Sequence, residues 1–369
     1  MMQRDGVEVV HFVRKMRGYT QAHLLRARDE QTYVVKFRNN PQGRRVLVNE
    51  WVTSELLQAS GIQTPQATLV HVTPEFLELN PAVHLRDGNE RVAVEPGVHF
   101  GSQYPGDAAS TVVYDFLPDA MLSQVDNLED FLRVLVFDKW LGNTDGRQCV
   151  FYRQPARVSG SDTKRVRWVA SMIDHGLSFN GGQWNFPDCP IHGLYGRGLV
   201  YNSVRSLDDF EPWLEELSNV TEDLIARATT RMPAEWVEND GDGLKRLLDH
   251  LFQRRTRVPE LLKACCQNAP NSFPRWSPAI ICSVPTRIAA SVVVRPLLSR
   301  LEPTLARVEE GGRMFQWRRR AIAGLLEGTL KEPGVARLSL TLCASARPTA
   351  LYLPMVVPGL QRVSAPAYA

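Results

Sequence analysis

Short apolar-rich runs separated by polar turns open the chain. Val7–Val13, Ala22–Arg26 and Thr32–Phe37 are rich in β-branched and aromatic residues, and Arg28-Asp29-Glu30-Gln31 between the last two has the polarity of a hairpin turn, so three antiparallel strands are expected. The period then lengthens. From Val46 to Ile62, Leu47, Trp51 and Leu56 fall at helical spacing, and Gly61 supplies a C-terminal stop. Thr64-Pro65 leads into a further strand, Ala67–Val72, and Ser110–Phe116 reads as another that ends at Leu117-Pro118. Asn127 and Asp130 have capping-box spacing at the head of an apolar helix, FLRVLVFDKWLG, which is succeeded by a polar loop and a strand. Residues 153–165 form a polar hairpin excursion, WVASMIDHG returns as a buried strand ending in a loop, and helices dominate from Asp208 to Cys266. This is an α+β pattern, with a strand-rich part at 1–118, a mainly helical part at 119–282 and a remainder at 283–369.

Composition changes that picture only at the C-terminal end. With 44% hydrophobic and 22% charged residues in 369, the chain reads as an ordinary soluble protein. No window has the ~18 uncharged apolar residues of a membrane span, and the N-terminal residues lack the apolar core of a secretion signal, so a cytoplasmic location is expected. The six cysteines contain no C-x-x-C pair and read as reduced thiols. Residues 283–369 carry twelve Lys and Arg against five Glu and no Asp, a balance of +7, so the first 282 residues balance at −4 given the total of +3. Arg318-Arg319-Arg320 is a basic run without interleaved aromatics, and a nucleic-acid partner is not required to explain it. This segment reads as a poorly structured appendage, with an extra domain or an extension from an altered reading frame as the alternatives.

The candidate chemistry is phosphoryl transfer, which needs a cation on the phosphates, a carboxylate for a divalent metal and a base near the attacking hydroxyl. Lys36 lies in the strand YVVKF, and the next helix offers Glu50 as its partner, with Glu55 as the substitute if the helical phase is shifted. The segment MRGYTQAHL before it holds Gly18, whose loop can approach a phosphate with its backbone N–H groups; an ordinary hairpin turn is the alternative. Asp145, in the Asn143-Thr144-Asp145-Gly146 loop between helix and strand, is placed as a base. Asp174 ends an apolar run before Gly176, as a magnesium ligand is commonly held. A turn at Asn143–Gly146 and a helix cap at Asp174 are the plainer readings of these two. His84, His99, His175 and His192 lack metal-ligand spacing, and no G-x-S-x-G or Walker motif occurs. Phe179, Trp184 and Phe186 suit either a substrate groove or the core.

The order of a strand lysine, Asn49-Glu50 on a helix, N-T-D-G in a loop and I-D-x-G after a strand resembles the HipA-like kinases over roughly residues 8–275, with YVVKF, FDKWLGNTDGRQ and MIDHGLSFNGGQWNFPD resembling the short bacterial branch. The resemblance implies a bilobal, protein-kinase-like fold with a small antiparallel-sheet N-lobe bearing one helix and a mainly helical C-lobe. It implies ATP and Mg2+ as cofactors, a protein Ser or Thr as acceptor, Lys36 on the ATP phosphates, Glu50 paired with it, Asp145 as catalytic base, Asp174 on the metal, and Tyr114-Asp115-Phe116-Leu117 as the hinge beside adenine. One position departs from the family. The pattern D-x-x-x-x-N places a metal-binding Asn where this chain has Val150. Gln148 or Asn143 is the candidate replacement ligand, and Arg147 stands where related enzymes often carry His. A nucleotide-binding module with little catalysis, and a lipid or small-molecule kinase, are the competing functions.

Overall fold

The computed structural model describes residues 6–155, 166–277, 350–355 and 363–368. The chain divides into two units, residues 1–278 and 279–369.

The first unit begins with strands β1 (Val7–Lys15), β2 (His23–Ala27) and β3 (Thr32–Lys36), then helix α1 (Arg45–Ala59), strand β4 (Ala67–Val72), helix α2 (Pro74–Leu79), and strands β5 (His84–Asp87), β6 (Glu90–Ala93) and β7 (Gly97–Gln103). Strands β1-β2-β3-β7-β4 close into a barrel. Its pairs are antiparallel, with Leu25 opposite Tyr33 and Lys36 opposite Phe100, except for the short parallel pairing of Val7 with Val70 that closes it. The expectation of a small antiparallel sheet with one helix is met only in part: residues 1–118 also hold a parallel closure, a second short helix and a separate β5–β6 hairpin. Helix α2 has a sequence signature, since the Thr73 side chain caps the Phe76 N–H and Pro74 sits at the first turn. Strand β7 is harder to read because Gly101 interrupts its apolar pattern. A Cβ at Gly101 would lie 2.4 Å from Val70 Cγ2, so the glycine is what lets β4 pack across β7.

Ser110–Phe116 is not a strand. Asp107 gathers Ala109, Ser110 and Thr111 into a turn, and only Tyr114 pairs in the β manner, exchanging both backbone hydrogen bonds with Phe151 at 2.8 and 2.7 Å. Helix α3 (Asp119–Leu122) comes next, then helix α4 (Asp130–Leu141), of which eleven of twelve residues are buried. A helix buried on nearly all sides belongs at the centre of a core, and its Phe131 and Phe137 side chains share one cluster there with Leu251 and Leu262. The expected capping box is also corrected. Asn127 donates to Asp130 Oδ2 at 2.8 Å, but its amide otherwise bonds the backbone of Ala170, tying the head of α4 to the sheet.

Strands β8 (Gln148–Pro155) and β9 (Val166–Ile173) form an antiparallel pair with Gln148 opposite Ile173 and Val150 opposite Ser171. Residues 156–165, the tip of the expected hairpin excursion, lie outside the described residues. Helices α5 (Glu211–Ser218), α6 (Glu222–Arg227), α7 (Gly241–Arg254) and α8 (Val258–Asn268) complete the unit. In the second unit, strands β10 (Ala350–Met355) and β11 (Val363–Tyr368) pair antiparallel. Arg318-Arg319-Arg320 and most of the basic segment, including the expected poor order, lie outside the described residues. Among the described residues, no helix is long and apolar enough to cross a membrane.

The barrel buries two imidazoles, and this has a consequence in acid. His23 and His99 are fully buried on either side of Phe37, with ring centroids 5.0 and 5.2 Å away. Burial pulls His23 down to about 4, and burial together with the Arg38 charge pulls His99 down to about 3. Both folded values lie below the unfolded value of 6.5, so the unfolded chain binds protons first as pH falls. The stability these groups hold above 6.5 is lost on acidification, by about 2 kcal/mol per histidine at pH ~5. Urea midpoints are expected to be level above pH 7 and to fall between pH 6.5 and 5; a flat profile contradicts the assignment.

Candidate active site

Strand β3 ends with Lys36 buried and pointed at helix α1. Its ammonium donates to Glu50 Oε1 and to Asp174 Oδ1, the latter at 2.7 Å. Three separated segments therefore converge on one nitrogen. Helical phase selects Glu50 over Glu55, which instead pairs with Arg231 at 2.7 Å. Burial works against the Lys36 charge, but Asp174 and Glu50 outweigh it and hold the ammonium above its ordinary range. The same ammonium pulls Asp174 down to about 2 against burial, whereas burial pushes Glu50 up against the pull of Lys36. Asp174 keeps a 39% exposed side chain, so this corner of the cluster faces solvent.

The approach of α1 depends on Gly176, where a Cβ would lie 2.8 Å from Val46 Cγ1 and 3.2 Å from Glu50 Oε1. Asp174 itself has φ of 58°, which turns the chain sharply at the end of β9. Asn49, the neighbour of Glu50, holds the segment from Gly176 to Trp184: its buried amide nitrogen donates to the carbonyls of Gly176, Ser178 and Gly181 at 2.8–3.0 Å, and its oxygen accepts from Trp184 Nε1 at 2.8 Å. That segment passes through positive φ at Phe179, Asn180 and Trp184, so backbone strain is held in place by one side chain. Asn49→Ala is expected to destabilise the protein by about 2–4 kcal/mol, because several buried groups lose their partner at once. Chemical denaturation measures it, and a loss below about 0.5 kcal/mol, the range of an ordinary surface change, contradicts the clamp.

Asp145 stands in a loop that is bonded on every side. Its N–H donates to Asn143 Oδ1 at 3.2 Å, its Oδ1 accepts the Gly146 N–H at 2.8 Å, and its Oδ2 accepts the Gln148 amide at 3.0 Å. The Gly193 N–H donates to its carbonyl at 2.9 Å, and Thr144 donates its N–H to the Leu177 carbonyl at 3.1 Å. The Asp145 loop and the loop after Asp174 are thus laced together. The side chain of Asp145 remains half-buried and reachable.

Other expected residues have bonds of their own. Gly18 sits at the tip of the β1–β2 connection with φ of 128°, and Gln21 and Lys15 tie that connection to the backbone of Arg86 and His84. Tyr114 and Phe116 are exposed, Leu117 is buried, and Arg197 covers this stretch, with its guanidinium 4.4 Å over the Phe116 ring and donating to the Leu117 carbonyl. Gln148 reaches Asp145, and Val150 is buried opposite Ser171 with no polar atom to offer. Phe179 and Trp184 join the core, with Phe186 packed against it. Among the described residues no group of three or more His, Cys, Asp and Glu could hold a metal. Asp174 and Gln148 can still contribute to a magnesium whose other ligands are phosphates and water, the usual arrangement for that ion.

Residues to which the sequence assigns no place in the site, or only a minor one, carry the support. Asp138 and Arg147 form a fully buried ion pair, and His175 and Thr64 continue from it. A signal is present, because Asp138 is a carboxylate in the second half of a largely apolar helix, where a charge is buried only with a partner.

The model of the HipA-like kinase family matches residues 8–269. No curated protein sequence matches the chain. Among solved structures, a Golgi casein kinase with Mn and ADP bound is similar over 71% of this chain and 73% of its own, at 11% identity and a TM-score of 0.38. A second Golgi casein kinase structure is similar over 71% and 74%, with the same identity and score. With the family model spanning most of the chain and Lys36, Glu50 and Asp174 meeting in space, the protein belongs to the HipA-like kinases.

Proposed function

We propose that the chain moves the γ-phosphoryl group of ATP to the Ser or Thr hydroxyl of a protein. The observation that carries the reading is the Lys36 ammonium held between Glu50 and Asp174. In this reading residues 1–118 form the lobe that holds the nucleotide and 119–282 the lobe that holds the reacting groups. Lys36, oriented by Glu50, meets the α- and β-phosphate oxygens, and the Gly18 loop covers them. Tyr114 has committed its backbone to Phe151, so contacts to the base edge fall to the main chain of Asp115 and Phe116, with Leu117 packed beneath. Asp145 takes the acceptor hydroxyl proton as the new oxygen–phosphorus bond forms and the bond to the β-bridging oxygen breaks, releasing ADP. The Gly146 N–H and the Gln148 amide keep its carboxylate aimed. Magnesium, when bound beside Asp174 and Gln148, supplies charge neutralisation on the phosphates. The reading carries a cytoplasmic, reducing setting in which Cys149, Cys265 and Cys266 remain thiols.

Incubation with ATP and magnesium, read by phosphopeptide mass spectrometry, tests the reading: phosphoserine or phosphothreonine on the protein or an added acceptor supports it, and ATP turnover with phosphate only on a lipid or small molecule overturns the acceptor. Because the described residues provide so few metal-binding groups, magnesium alone is expected to leave the melting temperature unchanged and to raise it only with ATP present. A shift with the metal alone contradicts a phosphate-completed site. Buried Val150 favours a second reading, a nucleotide-binding module with weak turnover. That reading predicts an ATP shift indifferent to magnesium and no phosphoryl product.

A further inference from the structure

We propose that Asp138 and Arg147 are positioning residues that lock the Asp145 loop and the Asp174 loop to each other from beneath. This role deepens the proposed kinase function and rests on it.

The pair lies wholly inside the protein. Both side chains have no solvent exposure, and the contact is two-pronged: Arg147 Nε donates to Asp138 Oδ2 at 2.8 Å and Arg147 Nη2 donates to Asp138 Oδ1. Asp138 is on α4 and Arg147 lies two residues after Asp145, so the bond fixes the loop to the central helix. Each partner then reaches onward. Asp138 Oδ1 accepts from the Asn143 amide at 3.0 Å, and Asn143 Oδ1 accepts the Asp145 N–H at 3.2 Å. Arg147 Nη1 donates to the Ile173 carbonyl at 3.1 Å and to His175 Nδ1 at 3.0 Å, the two residues that flank Asp174. His175 Nε2 is then the donor to Thr64 Oγ1 at 3.1 Å, and the Thr64 hydroxyl donates to the Met172 carbonyl at 2.8 Å. With these roles the chain of donors and acceptors is complete.

An isolated buried ion pair is weak evidence of stabilisation, because apolar residues of similar volume often replace one without loss. What apolar residues cannot reproduce is the set of outward bonds to Asn143, Ile173 and His175. Asp174 sits at a positive φ between two residues that Arg147 grips, and Asp145 sits two bonds from Asp138. The pair therefore acts on the separation and aim of the two carboxylates, without touching substrate.

The test is the double substitution Asp138→Leu with Arg147→Met in the full chain, beside Arg147→Lys. The double variant is expected to fold, with helices α4 and α7 protected from hydrogen exchange as in the parent. It is expected to keep ATP KM within a few-fold and to lose about 10²-fold in kcat, the scale of a misplaced reacting group. Arg147→Lys, which keeps the charge but not the fork, is expected to fall between. The amides of Thr144, bonded across the two loops, and of Gly193, bonded to the Asp145 carbonyl, are expected to lose protection in the double variant. A folded double variant with parental kcat, or with those amides still protected, overturns the proposal. Absence of turnover in the parent would instead sink the kinase reading, and the exchange measurement would still decide the positioning role.

Discussion

Asp145→Asn is expected to lower phosphoryl transfer by about 10²–10⁴-fold, or about 3–5 kcal/mol of barrier, while ATP affinity stays within a few-fold. Asn keeps the shape of the side chain and can still accept the Gly146 N–H, so the loop stays closed. It cannot take a proton from an attacking hydroxyl. The carboxylate lies outside the Lys36 cluster, bonded to Gly146 and Gln148 and half-buried, so its loss leaves the phosphate contacts alone. Steady-state kinetics with ATP titration separates the two quantities. A variant that retains more than about a tenth of parental kcat removes Asp145 from the role of base.

Lys36→Met has the largest expected effect on the folded protein as well as on activity. The ammonium serves Glu50 and Asp174 together. Met fills similar volume but leaves Glu50 buried with no cation and Asp174 beside it, and removing one partner of a buried pair costs about 3–5 kcal/mol. For a unit of this size that corresponds to a fall in melting temperature of about 6–20 °C. Glu50→Gln added to Lys36→Met is expected to restore much of the stability, because the stranded charge is gone, and none of the turnover. Differential scanning calorimetry and an ATP assay on both variants check this. A Lys36→Met protein that melts with the parent, or a double variant that regains activity, contradicts the assignment.

Legibility from sequence differs by physical cause. Strands β1, β2 and β3, helix α1 and helix α4 are readable because each is an apolar-rich run of the right length closed by a stop signal, as with Gly61 after α1 and Gly142 after α4. Strand β7 is not, since Gly101 is there for the packing of Val70, a tertiary reason. Ser110–Phe116 has strand-like composition but little to pair with, and the Asp107 turn draws its start away. In the site, Lys36, Glu50 and Asp174 are legible as types at the expected order along the chain. The roles of Asn49 and Arg147 are not, because a side chain that bonds backbone carbonyls 127–132 residues further along, as Asn49 does, leaves no local pattern. Val150 remains the position where family pattern and this chain part, and its burial opposite Ser171 gives a strand reason for an apolar residue there.

The most direct test of Lys36, Asp145 and Asp174 as the working groups of a kinase is a crystal structure of the full chain with a non-hydrolysable ATP analogue and magnesium. The α- and β-phosphates are expected against Lys36 Nζ, the metal on Asp174, and the γ-phosphate facing the Asp145 carboxylate. A nucleotide bound away from Lys36, or phosphates that leave Asp174 without a metal and Asp145 turned from the γ-phosphate, would contradict these roles.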